Sequence, residues 1–130
     1  MIGLDTNVLV RYIAQDNPKE AARATKIIET LSKDEPGFIC SIVLVELCWV
    51  LTRCYKVGTE DLMLIVRALL QAEDLNFEHR EEAWKAHQIA CAERLDFADA
   101  LLGLIHHKHG CVHTVTFDKK ANRNGFFKAA

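Results

Sequence analysis

Apolar positions along the chain come in short runs that alternate with stretches of helical spacing. Ile2-Gly3-Leu4 is a brief apolar run ending in Asp5, and Val8, Leu9, Tyr12 and Ile13 then recur at helical intervals. That change of period predicts a strand turning directly into a helix. Asn17-Pro18 reads as a helix start, with Asn as cap and Pro at the first helical position. The helix it opens is expected to bury Ala24, Ile27, Ile28 and Leu31 before Pro36-Gly37 closes the segment. Phe38-Ile39-Cys40 reads as a second strand, and Ser41 as the cap of a helix from about Ile42 to Tyr55, stopped near Gly58.

Thr59 is the expected cap of the next helix, whose apolar stripe is Leu62, Ile65, Val66, Leu69 and Leu70. Leu75-Asn76-Phe77 is a short strand candidate. Glu81 to Arg94 reads as a helix with Trp84, Cys91 and Leu95 along one side. Asp96 caps a further helix carrying Leu101, Leu102 and Ile105 and ended by Gly110. Val112 to Phe117 alternates in the manner of a strand, and Phe126-Phe127 reads as a last one. Strands separated by helices, without Asn-Gly or Asp-Gly hairpins, imply βαβ crossovers and a mostly parallel sheet. No repeat or linker interrupts the 130 residues, so a single α/β domain over 1–130 is expected.

Composition narrows the picture. Half of the residues are apolar and 26% are charged, which excludes a disordered chain. Sixteen Lys and Arg against eighteen Asp and Glu give a formal charge of −2, so no broad basic face for nucleic acid is expected. The cysteines Cys40, Cys48, Cys54, Cys91 and Cys111 are odd in number and show no C-x-x-C spacing. They read as free, buried thiols of a reducing compartment. The start of the chain has no basic segment typical of a signal peptide, and the run Phe38 to Leu51 is too short to span a bilayer. The expectation is a cytoplasmic protein without a membrane partner.

Four acids stand where burial would normally forbid them. Asp5 ends an apolar strand, Glu46 interrupts the apolar helix, Asp99 lies between Phe97-Ala98 and Ala100-Leu101, and Asp118 ends Thr114-Val115-Thr116-Phe117. Ionised carboxylates in such surroundings need a cation or several hydrogen bonds. In an open α/β sheet the carboxyl ends of the strands form the ligand crevice, where these acids are expected to converge. A divalent ion resolves their repulsion, and an oxygen-only donor set suits Mg²⁺ or Mn²⁺ better than Zn²⁺. Each acid also has a plainer use. Asp5 suits a helix cap, Asp96-Phe97-Ala98-Asp99 a capping box, and Asp118 the start of a turn with Lys119-Lys120. Glu46, ringed by apolar neighbours, has the weakest structural excuse.

Leu4-Asp5-Thr6-Asn7-Val8-Leu9-Val10-Arg11-Tyr12, Val45-Glu46-Leu47, Asp96-Phe97-Ala98-Asp99-Ala100-Leu101 and Thr116-Phe117-Asp118 together resemble the ordered signature of PIN-domain proteins, and most closely the VapC-type ribonuclease toxins. The resemblance implies a PIN-like (Rossmann-like) three-layer sandwich with a central, mostly parallel sheet. It implies a metal-dependent endoribonuclease that hydrolyses RNA through metal-activated water, leaving a 5′-phosphate and a 3′-hydroxyl. Matched by position, the acidic quartet is Asp5, Glu46, Asp99 and Asp118, holding one or two Mg²⁺ or Mn²⁺ ions. Thr6, Asn7, Asp96 and Thr116 are then expected to orient carboxylates or water. Arg11, Lys119 and Lys120 are candidate phosphate contacts, with Arg123 and Lys128 further along the same tail. The partners implied are an RNA substrate, a cognate antitoxin and a second copy of the chain in a homodimer. One departure is that Lys119-Lys120 follows Asp118, where many members of the family carry another acid.

Two other function classes compete: a non-catalytic or antitoxin-dependent interaction domain, and an aspartyl-phosphate phosphotransfer domain with Asp5 as nucleophile. Against the latter, the second aspartate expected two residues after Asp5 is Asn7. His106, His107, His109 and His113 crowd around Gly110 without metal-ligand spacing, and as cations near a helix C-terminus they suit the dipole. With four acids assigned to a metal, sixteen bases face fourteen remaining acids, a formal +2 for the rest of the chain.

Overall fold

The computed structural model describes residues 1–130, which divide into two compact units, Met1–Glu78 and His79–Ala130. The first unit runs β1 (Ile2–Gly3), α1 (Thr6–Ala14), α2 (Pro18–Glu29), β2 (Gly37–Ile39), α3 (Ser41–Tyr55), α4 (Thr59–Gln71) and β3 (Leu75–Phe77). Its strands pair in the order β1-β2-β3, both pairs parallel. Ile2 lies opposite Gly37 and Gly37 opposite Leu75, so all three strands end at one edge. The pairing extends one step further, with Leu4 N–H donating to Phe38 O and Glu78 N–H to Ile39 O. Asp5, Cys40 and Glu78 therefore leave the sheet at the same level. Ile39, Leu44, Leu47, Leu51, Val66 and Leu70 form the buried centre of this unit.

The turn from β1 into α1 and the start of α2 follow the local chemistry read above. Asn17 accepts a hydrogen bond from Glu20 N–H, and Pro18 occupies the first helical position. Replacing Asn17 with Ala is expected to cost about 1 kcal/mol of stability in a denaturant melt. Other expected boundaries are shifted. Cys40, not Ser41, is the cap residue of α3, and Gly58, not Thr59, that of α4, neither with a side-chain cap bond. The helix α3 is ended by Lys56 in the left-handed region (φ 56°), whose N–H bonds Leu51 O, before Gly58 is reached. Ile27, expected inside, is exposed, because α2 buries only Ala21 and Ala24 completely.

The second unit runs α5 (Arg80–Glu93), α6 (Phe97–Lys108), β4 (Thr114–Thr116), a 3₁₀ turn (Ala121–Arg123) and β5 (Phe127–Ala129). β4 and β5 pair in parallel, with Thr114 opposite Phe127. Helices α5 and α6 pack together, and the buried face of α5 is mostly alanine. The buried face of α5 is Glu82, Ala83, Ala86 and Ala90, whereas Cys91 is exposed and Trp84 only half-buried. On α6 the buried residues are Phe97, Ala100, Leu101, Gly103 and Leu104, while Leu102 faces out. Gly103 permits a close approach: a Cβ there would stand 2.9 Å from Phe127 Cε2. Every strand pair in the protein is parallel, as the alternation of strands and helices predicts. No cysteine is disulfide-bonded, yet only Cys48 is buried and three of the five are exposed, against the expectation of buried thiols. No helix is long and apolar enough to cross a membrane.

Candidate active site

In the first unit the chemistry gathers at the edge where the strands end. Asp5 precedes α1, and its backbone oxygen accepts from Val8 N–H (3.1 Å) and Leu9 N–H (3.4 Å). Its carboxylate makes no capping bond, so it is not consumed by the helix terminus. Next to it Thr6 is only 3% exposed, and its Oγ1 has no hydrogen-bond partner. A buried hydroxyl left unpaired costs free energy, and this one stands next to Asp5. Asn7 is exposed and lines a cleft of about 180 Å³ with Val8, Arg11, Glu20, Arg23, Ala24 and Ile27.

Arg11 is held by its own unit. Its Nε donates to Glu20 Oε1 at 2.8 Å, and its Nη1 reaches Tyr55 Oη at 3.2 Å and Asp16 at 3.4 Å. The Tyr55 hydroxyl donates to Asp16 Oδ2 at 2.7 Å and holds that carboxyl below the usual range. This network joins the end of α3 to the turn between α1 and α2, so the guanidinium has structural partners besides any phosphate.

Glu46 lies on α3 but is not enclosed. It is exposed on one stripe with Ile42, which is 77% exposed, and Trp49, while Leu44, Leu47, Cys48 and Leu51 face inward. The apolar run around Glu46 thus includes two large residues that face outward, and the burial argument does not hold for this acid, nor for Asp5 and Asp118, which are also exposed. Glu78, which the sequence pattern does not single out, stands directly after β3 as Asp5 stands after β1. Its Oε1 accepts from Ser41 N–H at 2.9 Å, an acid satisfying the first turn of α3. The Oγ of Ser41 is buried and unpartnered. The signal that could have found Glu78 is position: an acid directly after a short apolar run.

In the second unit Asp96 accepts from Asp99 N–H at 3.1 Å and caps α6 as expected. Asp99 is half-buried in the first turn of that helix. Burial pushes its carboxyl above the usual carboxylate range, and the nearby charges of Asp96 and Asp118 push it further the same way. The fold has brought Asp118 within electrostatic reach of Asp99. Asp118 also starts the 3₁₀ turn: its Oδ1 accepts from Lys120 N–H (2.8 Å) and Ala121 N–H (3.3 Å), and its own N–H donates to Thr116 Oγ1 (3.0 Å). Lys119 and Lys120 are exposed.

Asp96, Asp99 and Asp118 offer hard oxygen donors whose charges repel, the donor chemistry that divalent cations favour. Within neither unit, however, do three or more His, Cys, Asp or Glu side chains stand close enough to hold a metal. Asp5 and Glu46 belong to the first unit and Asp99 and Asp118 to the second. The histidines have separate surroundings. His106 Nδ1 lies 2.9 Å from Thr114 Oγ1, His107 packs edge-on against Phe126, and His109 edge-on against His79.

The chain matches the family described as PIN domain over residues 2–126. A VapC ribonuclease of Aquifex aeolicus (strain VF5) is 27% identical to it over 123 residues, covering 95% of this chain and 91% of the relative.

Proposed function

The chain belongs to the PIN domain family, and from that premise we propose that it is a metal-dependent endoribonuclease, the toxin of a toxin–antitoxin pair. The observation that carries the reading is the family match over residues 2–126, joined by the way the second unit brings the charges of Asp96 and Asp118 to bear on Asp99. Burial and the charges of Asp96 and Asp118 all disfavour an ionised Asp99, a condition that a bound cation would relieve. The capping-free carboxylate of Asp5 supports it from the first unit. The two units are read as parts of one PIN domain over 1–130, because the family match runs unbroken across residues 78 and 79.

In this reading Asp5, Glu46, Asp99 and Asp118 hold one or two Mg²⁺ or Mn²⁺ ions. Such an ion, when bound, neutralises charge on the phosphate and makes water more acidic. Thr6 and Thr116 orient their neighbouring acids, the former with its unspent hydroxyl and the latter through the amide of Asp118. Asp96 fixes the first turn of α6 and thereby the direction of Asp99. Asn7, exposed beside Asp5, orients a carboxylate or water in this reading. The substrate is RNA, as the name of the Aquifex relative suggests, and the family resemblance adds an antitoxin and a second copy of the chain as partners of a cytoplasmic protein.

The test is cleavage of RNA by antitoxin-free protein. Activity is expected with Mg²⁺ or Mn²⁺, to vanish with EDTA, and to return when the metal is restored in excess. Cleavage that persists in EDTA, or that Asp5→Ala leaves intact, overturns the assignment.

A further inference from the structure

The second unit contains a cleft of about 340 Å³ lined by Glu93, Arg94, Leu95, Lys120, Arg123 and Asn124. Three of its six residues are cations, all exposed, and none enters an ion pair. The one acid in the lining, Glu93, forms no ion pair with these three cations, and its Oε1 accepts from Asn124 Nδ2 at 3.0 Å. Asn124 is 7% exposed, and its Oδ1 accepts from Phe126 N–H at 2.9 Å. The floor is therefore fixed by hydrogen bonds and by the buried Leu95, and the charges stand above it.

The cleft also shares its chain with the acids. Leu95 precedes Asp96, and Lys120 N–H is held by Asp118 Oδ1. We propose that this cleft is a phosphate subsite for the RNA strand, holding a backbone phosphate other than the one that is cut. Two guanidinium forks match phosphate oxygens in pairs, a geometry that a lone ammonium does not offer. Leu95 is the only apolar residue of the lining, so the cleft offers little to an apolar protein anchor. Uncompensated cations beside the acids also lower the cost of bringing a polyanion to an acidic site. The inference rests on the ribonuclease reading for its substrate, and names the residues that give that substrate its grip.

The experiment separates binding from cutting. Asp99→Asn protein is titrated against a short fluorescein-labelled single-stranded RNA, with and without the pair Arg94→Ala and Arg123→Ala, over a range of salt. The pair is expected to weaken binding about 10-fold and to flatten the salt dependence by about 0.7 in log–log slope for each phosphate that is no longer neutralised. In the cleaving protein the same pair raises KM and leaves kcat unchanged. Arg94→Lys with Arg123→Lys keeps the salt slope and loses part of the affinity. Circular dichroism and thermal melting establish that each variant is folded. Unchanged RNA affinity and slope in the folded Ala pair overturn the proposal. So does binding of inorganic phosphate or polyglutamate that the Ala pair abolishes while RNA binding persists, since the cleft is then a free-anion or acidic-protein site. Should the wild type bind RNA through the cleft and never cut it with Mg²⁺, the ribonuclease reading falls and the subsite stands. Cutting with the Ala pair binding normally removes the subsite alone.

Discussion

Asp99→Asn is expected to lower RNA cleavage by about 10²–10³-fold, the scale on which a preorganised electrostatic contact to the reacting group acts. The change keeps the shape of the side chain and the backbone hydrogen bond from Asp99 N–H to Asp96, so α6 retains its cap. What disappears is a negative charge that burial and the neighbouring Asp96 and Asp118 make unfavourable in the folded chain. A carboxyl raised above its unfolded value makes the folded state hold more protons. Its contribution to stability is then present at low pH and is lost as pH rises through the raised value. The Asn variant titrates no such group. Without metal, it is expected to melt at or above the wild-type temperature near neutral pH, and with the wild type at a pH below the carboxylate range. Loss of cleavage together with a melting temperature well below wild type would instead make Asp99 a folding residue.

Leu47→Ala is expected to destabilise the protein by about 2–5 kcal/mol, because its side chain is fully buried and its removal leaves a cavity in the first unit. Ile42→Ala, on the same helix, is expected to stay within about 0.5 kcal/mol, since that side chain already lies in water. Chemical denaturation of the two variants reads the difference directly. Equal costs would mean that α3 turns another face inward, and that Glu46 is not the exposed acid of the Ile42–Trp49 stripe.

That pair of residues also shows where sequence reasoning stops. Ile42 to Leu51 is apolar almost throughout, so periodicity carries no contrast from which to choose a buried face. On sequence alone Glu46 is an enclosed charge, and the structure places it on the exposed side. The same limit explains α5, where small Ala residues rather than Trp84 or Cys91 form the packed face. A helix that approaches another closely needs small side chains, which hydrophobicity alone does not reveal. Helix starts are legible where a side chain makes the cap, as Asn17 and Asp96 do. They shift by one residue at Ser41 and Thr59, where the preceding residue takes the cap position without a side-chain bond.

The sequence by itself determined the order of strands and helices and their parallel pairing, and it singled out four acids as candidates. Those follow from local period, local capping and motif order, which require no knowledge of distant contacts. Only the tertiary structure decided which acids feel one another and which polar groups are already spent. Asp99 and Asp118 couple because the chain from α6 to β4 brings them together, whereas Arg11 is tied to Glu20, Asp16 and Tyr55. Desolvation and Coulomb repulsion depend on through-space distance, and spacing along the chain does not fix that distance.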